Sequence, residues 1–367
     1  MPHIKTIAIA ARGLTRGFSG PNEFIRGLTQ GLLDHAPAHT IHIYYDSSDA
    51  LGSFPKAVEH VLPSTNRIVW DQILLPRALK KDQIDVAIFP KGPVPLSLPC
   101  RAVSVIHDLG YFYPDLDAYR PLDTLYFRFA LPFASRVTLG LLAVSEYTRR
   151  DVIRLLRADP SKVITIHEAP NDHYRPVTDE ARLEQVRQRY GLQEPFIFYP
   201  TSISPRKNIP RVLEAMEACM EQIPHHLYLT GGLKWNTRGI LERLEGPLRN
   251  RVHLLGPVPA MDMPVLYSLA QFAIYPSLFE GFGLPVVEAF RCGTPILVSD
   301  QTSLPEVAGD AALVVDGLSA DSIRDGMLKL ATDAALRHAL SQKGLQRGDV
   351  FSWKNTVQTM MDWLVQA

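Results

Sequence analysis

Tyr275-Pro276-Ser277-Leu278-Phe279-Glu280-Gly281-Phe282-Gly283-Leu284-Pro285-Val286-Val287-Glu288-Ala289-Phe290 is the stretch from which the rest of the chain is read. An apolar strand ends near Tyr275, a glycine-rich loop follows, and Pro285 suits the first turn of a helix whose C′ position suits Gly293. Gly281 and Gly283 allow the backbone close to a ligand, and their N–H groups join those of the helix start. That arrangement favours an anion, typically phosphate. Glu280 stands in the loop and Glu288 in the first helical turn, eight positions on. Two carboxylates beside an anion-binding turn suit the hydroxyls of a sugar or ribose. As isolated residues they would read as a dipole complement and a solvated side chain. The Gly-x-Gly-x-Pro frame between them favours the ligand reading.

On either side of it, short β-branched runs alternate with longer amphipathic stretches. In the first half the expected strands are Thr6–Ala11, Thr40–Tyr45, Asp85–Pro90, Ala102–His107, Leu141–Ser145 and Val163–His167. In the second half they are Phe196–Thr201, His226–Thr230, Val252–Leu255, Phe272–Tyr275, Pro295–Ser299 and Ala312–Val315. Continuous apolar strands separated by helices imply parallel sheets covered on both faces, and two such sets imply two doubly wound α/β domains. The seam is expected between Asn171 and Glu194, with a helix from Asp179 to Tyr190 leading into the second set. A last amphipathic segment, Asn355 to Val365, follows Phe351-Ser352-Trp353.

Ligands of doubly wound sheets sit at the carboxyl ends of strands. Arg206 and Lys207 occupy such a loop, Tyr199 to Asn208, before a helix that starts at Pro210. Arginine grips a diphosphate bidentately and lysine adds a point charge, so the pair suits a departing nucleotide diphosphate without a metal. Alone, it would read as an exposed basic pair. His107 ends a first-half strand, where a structural and a functional histidine are equally expected. Gly20, after the first strand, lies in Arg16-Gly17-Phe18-Ser19-Gly20-Pro21-Asn22-Glu23, which lacks G-x-G-x-x-G spacing and argues against an NAD enzyme. Close approach to a phosphate is its expected use. Thr230-Gly231-Gly232 and Leu255-Gly256-Pro257-Val258 either line a nucleotide or are ordinary turns.

The 367 residues balance 38 Lys and Arg against 38 Asp and Glu, so no global field recruits nucleic acid, and any anion is bound locally. Cys100, Cys219 and Cys292 form neither a disulfide framework nor a thiolate zinc site, which fits a reducing compartment. The first eleven residues do not read as a signal peptide. Leu125 to Val144 is the most membrane-like stretch, but Arg128 and Arg136 interrupt the ~20 apolar residues a spanning helix needs.

The Glu280–Glu288 frame resembles the signature of family-4 retaining glycosyltransferases. Gly293-Thr294-Pro295, Leu304-Pro305-Glu306-Val307, V-I-H-D-L, A-V-S-E-Y-T, S-P-R-K-N and the terminal F-S-W extend the resemblance over nearly the whole chain. It implies the GT-B fold, with two doubly wound Rossmann-like domains facing across a cleft. Residues 1–175, joined by a returning helix at 355–367, form the acceptor domain, and 176–354 form the nucleotide-sugar domain. By the same resemblance Glu280 contacts sugar hydroxyls, Glu288 the ribose, and Arg206 and Lys207 the diphosphate. His107 faces the transferred sugar, Phe282, Gly283 and Leu284 lie near sugar and phosphate, Val258 lies near the base, and Gly20 and Gly231 line the donor. Two positions depart from the pattern. Ser202 stands where relatives carry an arginine, and Gly20-Pro21-Asn22 replaces a G-x-G.

The implied reaction is retaining transfer of a hexose from a nucleotide-sugar donor, with no cofactor and no metal. S-P-R-K-N with I-H-D-L resembles the mannosyltransferase branch of surface-polysaccharide assembly, which implies GDP-mannose as donor and a saccharide or lipid-linked saccharide as acceptor. UDP- or dTDP-linked sugars are the alternative donors, and a non-catalytic sugar-nucleotide-binding subunit is the alternative of another class. An epimerase is disfavoured by the Glu280–Glu288 frame and a phosphorylase by chain length. The expected location is cytoplasmic, peripheral on the inner membrane face. Arg149, Arg150, Arg154 and Arg157 either meet anionic headgroups there or form a solvated helix face.

Overall fold

The structure is a computed structural model describing residues 4–14, 20–116, 119–232 and 246–367. The chain divides into two compact units. Unit 1 comprises Met1–Phe112, Arg120–Ala169 and Phe351–Ala367; unit 2 comprises Tyr113–Tyr119 and Pro170–Val350. The change of unit at Ala169–Pro170 precedes the 175/176 division expected from sequence, and the short segment Tyr113–Tyr119 goes with unit 2.

Unit 1 is built on strands β1 (Thr6–Ala10), β2 (Thr40–Tyr45), β3 (Val58–Val61), β4 (Val86–Phe89), β5 (Arg101–Ile106), β6 (Gly140–Ala143) and β7 (Val163–Thr165). Unit 2 is built on β8 (Phe196–Tyr199), β9 (His226–Thr230), β10 (Val252–Gly256), β11 (Phe272–Tyr275), β12 (Ile296–Ser299) and β13 (Leu313–Val315). The sheet orders are β3-β2-β1-β4-β5-β6-β7 and β10-β9-β8-β11-β12-β13. Every pairing is parallel. Each sheet therefore runs outward in one direction from its first strand and then reverses, between β1 and β4 in one and between β8 and β11 in the other. This is the doubly wound order, with one topological switch point per sheet. The central strands β4, β6, β8, β11 and β12 are buried along their whole length, as their unbroken apolar runs require.

The last helix, Trp353–Gln366, is N-capped by Ser352 and belongs to unit 1. Its seat is cut by glycines. A Cβ at Gly27, on the helix Gly20–His35, would lie 2.0 Å from the Trp353 ring, and one at Gly140 would lie 2.2 Å from the Trp363 ring. Phe351 meets His167 edge-on at 5.5 Å, and the Thr356 hydroxyl donates to the His167 carbonyl at 2.6 Å. The F-S-W segment is thus the clasp of this helix.

Candidate functional site

At the unit 2 switch point, the loop after β8 presents Arg206 and Lys207 on a 3₁₀ turn, Pro205–Lys207, followed by Asn208 at φ 61°. The loop after β11 presents Glu280. Backbone and side chain lock the two loops together. Leu278 N–H donates to the Arg206 carbonyl at 2.8 Å, and Asn208 Nδ2 donates to the Pro276 carbonyl at 3.0 Å. Lys207 Nζ sits 2.5 Å from Glu280 Oε1 and also donates to the Tyr275 hydroxyl, while the Tyr199 hydroxyl donates to the Lys207 carbonyl. Arg206 Nη1 lies 3.2 Å from Glu280 Oε2 and 3.1 Å from the Phe279 carbonyl. Burial pushes the Glu280 carboxyl up, but the charges of Arg206 and then Lys207 outweigh it and hold the group below its ordinary value. Glu280 is therefore anionic at neutral pH, and two cations share it. The cluster keeps a net positive charge, with half-buried Arg206 its more exposed cation.

Gly283 precedes the helix Leu284–Arg291 at φ 103°, and a Cβ there would lie 2.6 Å from the Leu304 side chain. Ser303 Oγ lies 3.0 Å from the Glu280 carbonyl and 2.9 Å from that of Phe282, and Glu280 N–H donates to Thr302 Oγ1 at 3.0 Å. Glu288 falls in the second helical turn, not the first, and is buried, which removes the dipole-complement reading. Its Oε2 accepts from the Tyr267 hydroxyl at 2.9 Å. Gly231, at φ 87°, lies so close to the preceding loop that a Cβ would be 2.6 Å from the Thr201 carbonyl. Its N–H donates to the Gly256 carbonyl at 2.7 Å, and Ile203 N–H donates to that of Gly232 at 3.1 Å. The loops after β8, β9 and β10 are thereby stitched into one rim, with half-buried Val258 two residues beyond Gly256.

In unit 1, His107 directly follows β5. Its Nε2 lies 2.8 Å from the Pro90 carbonyl, which only accepts, so that nitrogen carries a proton. Its Nδ1 lies 2.8 Å from Glu168 Oε1. Burial pushes the imidazole pKa down, but the Glu168 hydrogen bond and charge raise it above the ordinary value. Both ring nitrogens thus face oxygen acceptors, and the ring lies edge-on to Phe24 at 4.7 Å. The unit 1 switch point holds a second charged group. A small, partly open pocket is lined by Arg12 beyond β1 and Lys91 beyond β4, and by Arg67, Trp70, Asp71 and Tyr126. Asp71 takes Arg12 at 3.2 Å and Arg67 at 3.4 Å, Lys91 donates to the Arg12 carbonyl at 2.6 Å, and Arg67 lies over the Tyr126 ring at 4.0 Å. Arg12 and Arg67 share the Asp71 carboxylate, and Lys91 stands beside them. Burial, and then the Arg12 charge, depress the Lys91 pKa.

Both charged clusters thus stand where a doubly wound sheet binds ligands. The family model for glycosyl transferases group 1 matches residues 183–347. Over 266 residues the chain is 35% identical to O-antigen chain mannosyltransferase B of Escherichia coli, covering 71% of this chain and 69% of that protein. The chain belongs to the group 1 glycosyl transferases. It is also 30% identical over 275 residues to the serotype-specific mannosyltransferase WbdA of Escherichia coli, covering 72% of this chain but 33% of that longer protein. Solved structures share the fold at lower identity. Anabaena Alr3699/HepE in complex with UDP and glucose aligns at TM-score 0.79 and 14% identity, covering 99% of this chain and 100% of that one. WaaG, a glycosyltransferase involved in lipopolysaccharide biosynthesis, aligns at TM-score 0.74 and 17% identity, covering 96% and 98%. The family and the GT-B architecture expected from the Glu280–Glu288 frame are borne out.

For this glycosyltransferase the structure draws Arg206, Lys207 and Glu280 into one contact network. Gly231, Val258, Phe282, Gly283 and Leu284 lie along the carboxyl-end loops of the same sheet, and Glu288 lies beneath them. Gly20 and His107 belong to unit 1. Gly20 is the exposed first residue of its helix, with open space where a Cβ would be. Sequence reasoning missed Tyr275, Tyr267 and Glu168, the side chains that hold Lys207, Glu288 and His107. It also missed the Arg12, Arg67 and Lys91 pocket. Tyr275 alone carried a signal, because it ends the strand that delivers Glu280.

Proposed function

We propose that this glycosyltransferase moves mannose, with retained configuration, from GDP-mannose to a saccharide or lipid-linked saccharide in surface-polysaccharide assembly. The likeness to O-antigen chain mannosyltransferase B over most of both chains carries the mannosyl reading. Arg206 and Lys207 bind the diphosphate, and their charge stabilises it as it leaves. Glu280 keeps Lys207 in place and accepts hydrogen bonds from sugar hydroxyls. The backbone of Gly283 and Leu284 meets the sugar and phosphate, with Phe282 beside them, Glu288 meets the ribose, and Val258 and Gly231 line the nucleotide. The acceptor oxygen attacks on the leaving-group side, and the departing diphosphate takes its proton. No metal ion and no cofactor takes part. His107, with both ring nitrogens engaged as donors, acts as a fixed cation facing the transferred sugar, and Gly20 gives a phosphate close access.

The pocket at the unit 1 switch point is the acceptor subsite, and its excess positive charge favours a phosphate-bearing acceptor. Beside it the helix Pro121–Val137 exposes an apolar face, Leu122 at 82%, Leu125 at 56% and Phe129 at 72%, flanked by Arg128 and Arg136. Tyr126 of this helix meets Arg67 of the pocket. That face is the better lipid contact. On the helix Glu146–Leu156, Arg149 and Arg150 face Glu146 at 3.2 and 3.8 Å, and Arg154 is paired with Asp151 at 2.6 Å. No helix among the described residues is long and apolar enough to cross a membrane. The enzyme works on the cytoplasmic side, peripheral to the membrane.

The deciding experiment is thermal stabilisation by GDP, GDP-mannose, UDP and UDP-glucose without added metal, followed by a transfer assay with the stabilising donor. GDP compounds are expected to raise the midpoint. Stabilisation by UDP compounds alone would remove the mannosyl donor, and stabilisation without transfer to any saccharide would favour a non-catalytic subunit.

A further inference from the structure

Strand β2 reads Thr40-Ile41-His42-Ile43-Tyr44-Tyr45, and period-two alternation places His42 and Tyr44 on one face. Parallel register sets Tyr44 opposite His60 on the edge strand β3. The His60 ring stacks on Tyr44 at 4.4 Å, and its Nε2 lies 3.0 Å from His42 Nδ1. The two imidazoles are tilted by only 10° with centroids 5.2 Å apart, so their nitrogens face each other edge to edge. Behind them stands Asp82, at the end of the helix Leu75–Lys81. Its Oδ2 lies 3.6 Å from His60 Nδ1 and accepts from the Tyr44 hydroxyl at 2.8 Å.

Unit 2 repeats the pattern at the equivalent strands. His226 and Tyr228 lie on β9 and His253 on edge strand β10, with Tyr228 opposite His253. His226 Nδ1 lies 3.0 Å from His253 Nε2, and Tyr228 stacks on His253 at 4.6 Å. The carboxylate is what differs. Among the described residues, only His42, His60 and Asp82 each bring a donor atom within 4.8 Å of the other two.

We infer that His42, His60 and Asp82 form a binding site for a borderline divalent transition metal such as Zn²⁺, separate from the transfer chemistry. His42 Nδ1 and His60 Nε2 are the ligands. Asp82 Oδ2 stands 3.6 Å from His60 Nδ1, where its charge favours the Nδ1–H tautomer that turns the Nε2 lone pair toward the ion, the usual carboxylate–imidazole–metal relation. His42 moves its proton from Nδ1 to Nε2 when the metal takes its place, and water completes the coordination. Ligand nitrogens about 2.0–2.1 Å from a tetrahedral ion stand roughly 3.3 Å apart, so the 3.0 Å pair opens by a few tenths of an ångström and each ring turns until its lone pair meets the ion. The Cys100 thiol lies outside this set of three. Bound metal would clip the edge strand β3 to β2 and to the helix that ends at Asp82.

The test is calorimetric titration of the untagged full chain with Zn²⁺ at pH 7.5, with Co²⁺ visible absorption as a second readout. One equivalent is expected, abolished by His60→Ala, weakened about 10–100-fold by Asp82→Asn, and unchanged by His253→Ala or Cys100→Ser. His42→Asn repeats the test should His60→Ala fail to fold, with the metal-free thermal midpoint as the check on folding. No saturable binding at 100-fold excess metal overturns the site, as does binding lost through His253 or Cys100 and indifferent to Asp82.

Discussion

Replacing Lys207 by methionine isolates the buried pair at the centre of the donor loops. Lys207 and Glu280 are only 7% and 8% exposed in their side chains, at 2.5 Å. Removing one partner of such a pair leaves a desolvated charge and costs about 3–5 kcal/mol. Arg206 remains 3.2 Å from the other carboxylate oxygen, which places Lys207→Met near the lower figure, about 3 kcal/mol. The sign against pH follows from the Glu280 carboxyl. In the parent its pKa lies below the ordinary 4.5, so its contribution is present above 4.5 and is lost as pH falls through the folded value. Without Lys207, burial is opposed chiefly by Arg206, the folded pKa rises, and mild acid neutralises the orphaned charge. The stability gap between parent and variant is therefore expected to shrink from pH 7.5 to pH 5. Urea unfolding followed by circular dichroism at the two values measures it. Adding Glu280→Gln should recover most of the loss, a coupling of ~2 kcal/mol, while transfer stays down about 10²–10³-fold in both variants. A gap independent of pH, or a double variant as unstable as the sum of the singles, would refute the reasoning.

Three further outcomes are expected. Gly27→Ala puts a methyl into the Trp353 ring and should cost about 1–3 kcal/mol or more in unit 1; a thermal midpoint equal to the parent's would show that the last helix seats otherwise. Tyr267→Phe takes a donor from buried Glu288 and should cost about 1–3 kcal/mol, with weaker nucleotide binding in calorimetry; an unchanged nucleotide affinity would separate Glu288 from the ligand. The raised His107 pKa contributes stability fully present below 6.5 and lost as pH rises through the folded value, so His107→Gln should flatten the alkaline side of the stability profile. An identical profile in the variant would mean that another group titrates there.

The sheets were legible wherever both faces are covered. Phe196–Tyr199 and Ile296–Ser299 are uninterrupted apolar runs because helices pack on either side. Strand β3 was not legible. Val58-Glu59-His60-Val61 is an edge strand with Val58 exposed, and nothing in four alternating residues separates it from a loop. The donor loops were legible because glycine and proline mark backbone needs that few other residues meet. Partners such as Glu168, 61 positions from His107, and Tyr267, 21 from Glu288, were not, because they meet only through tertiary packing. The misplacement of Glu288 in the first turn had a simpler cause. Helix start was read without a capping side chain, and Gly283 supplies none.

One regularity connects the two charged clusters. The chain as a whole is neutral, 38 against 38, and exerts no long-range pull on an anion. Each sheet nevertheless sets more cations than carboxylates at the strand reversal: Arg206 and Lys207 on Glu280, and Arg12, Arg67 and Lys91 around Asp71. Parallel strands direct their loops and the N-termini of the following helices to the same end, so positive dipole ends reinforce those side chains. A carboxylate within each cluster holds two of the cations in position, limiting the side-chain entropy lost when an anion arrives. On the proposed function, anions bind at these two places in the fold, and salt should weaken ligand binding at both without altering the rest of the molecule.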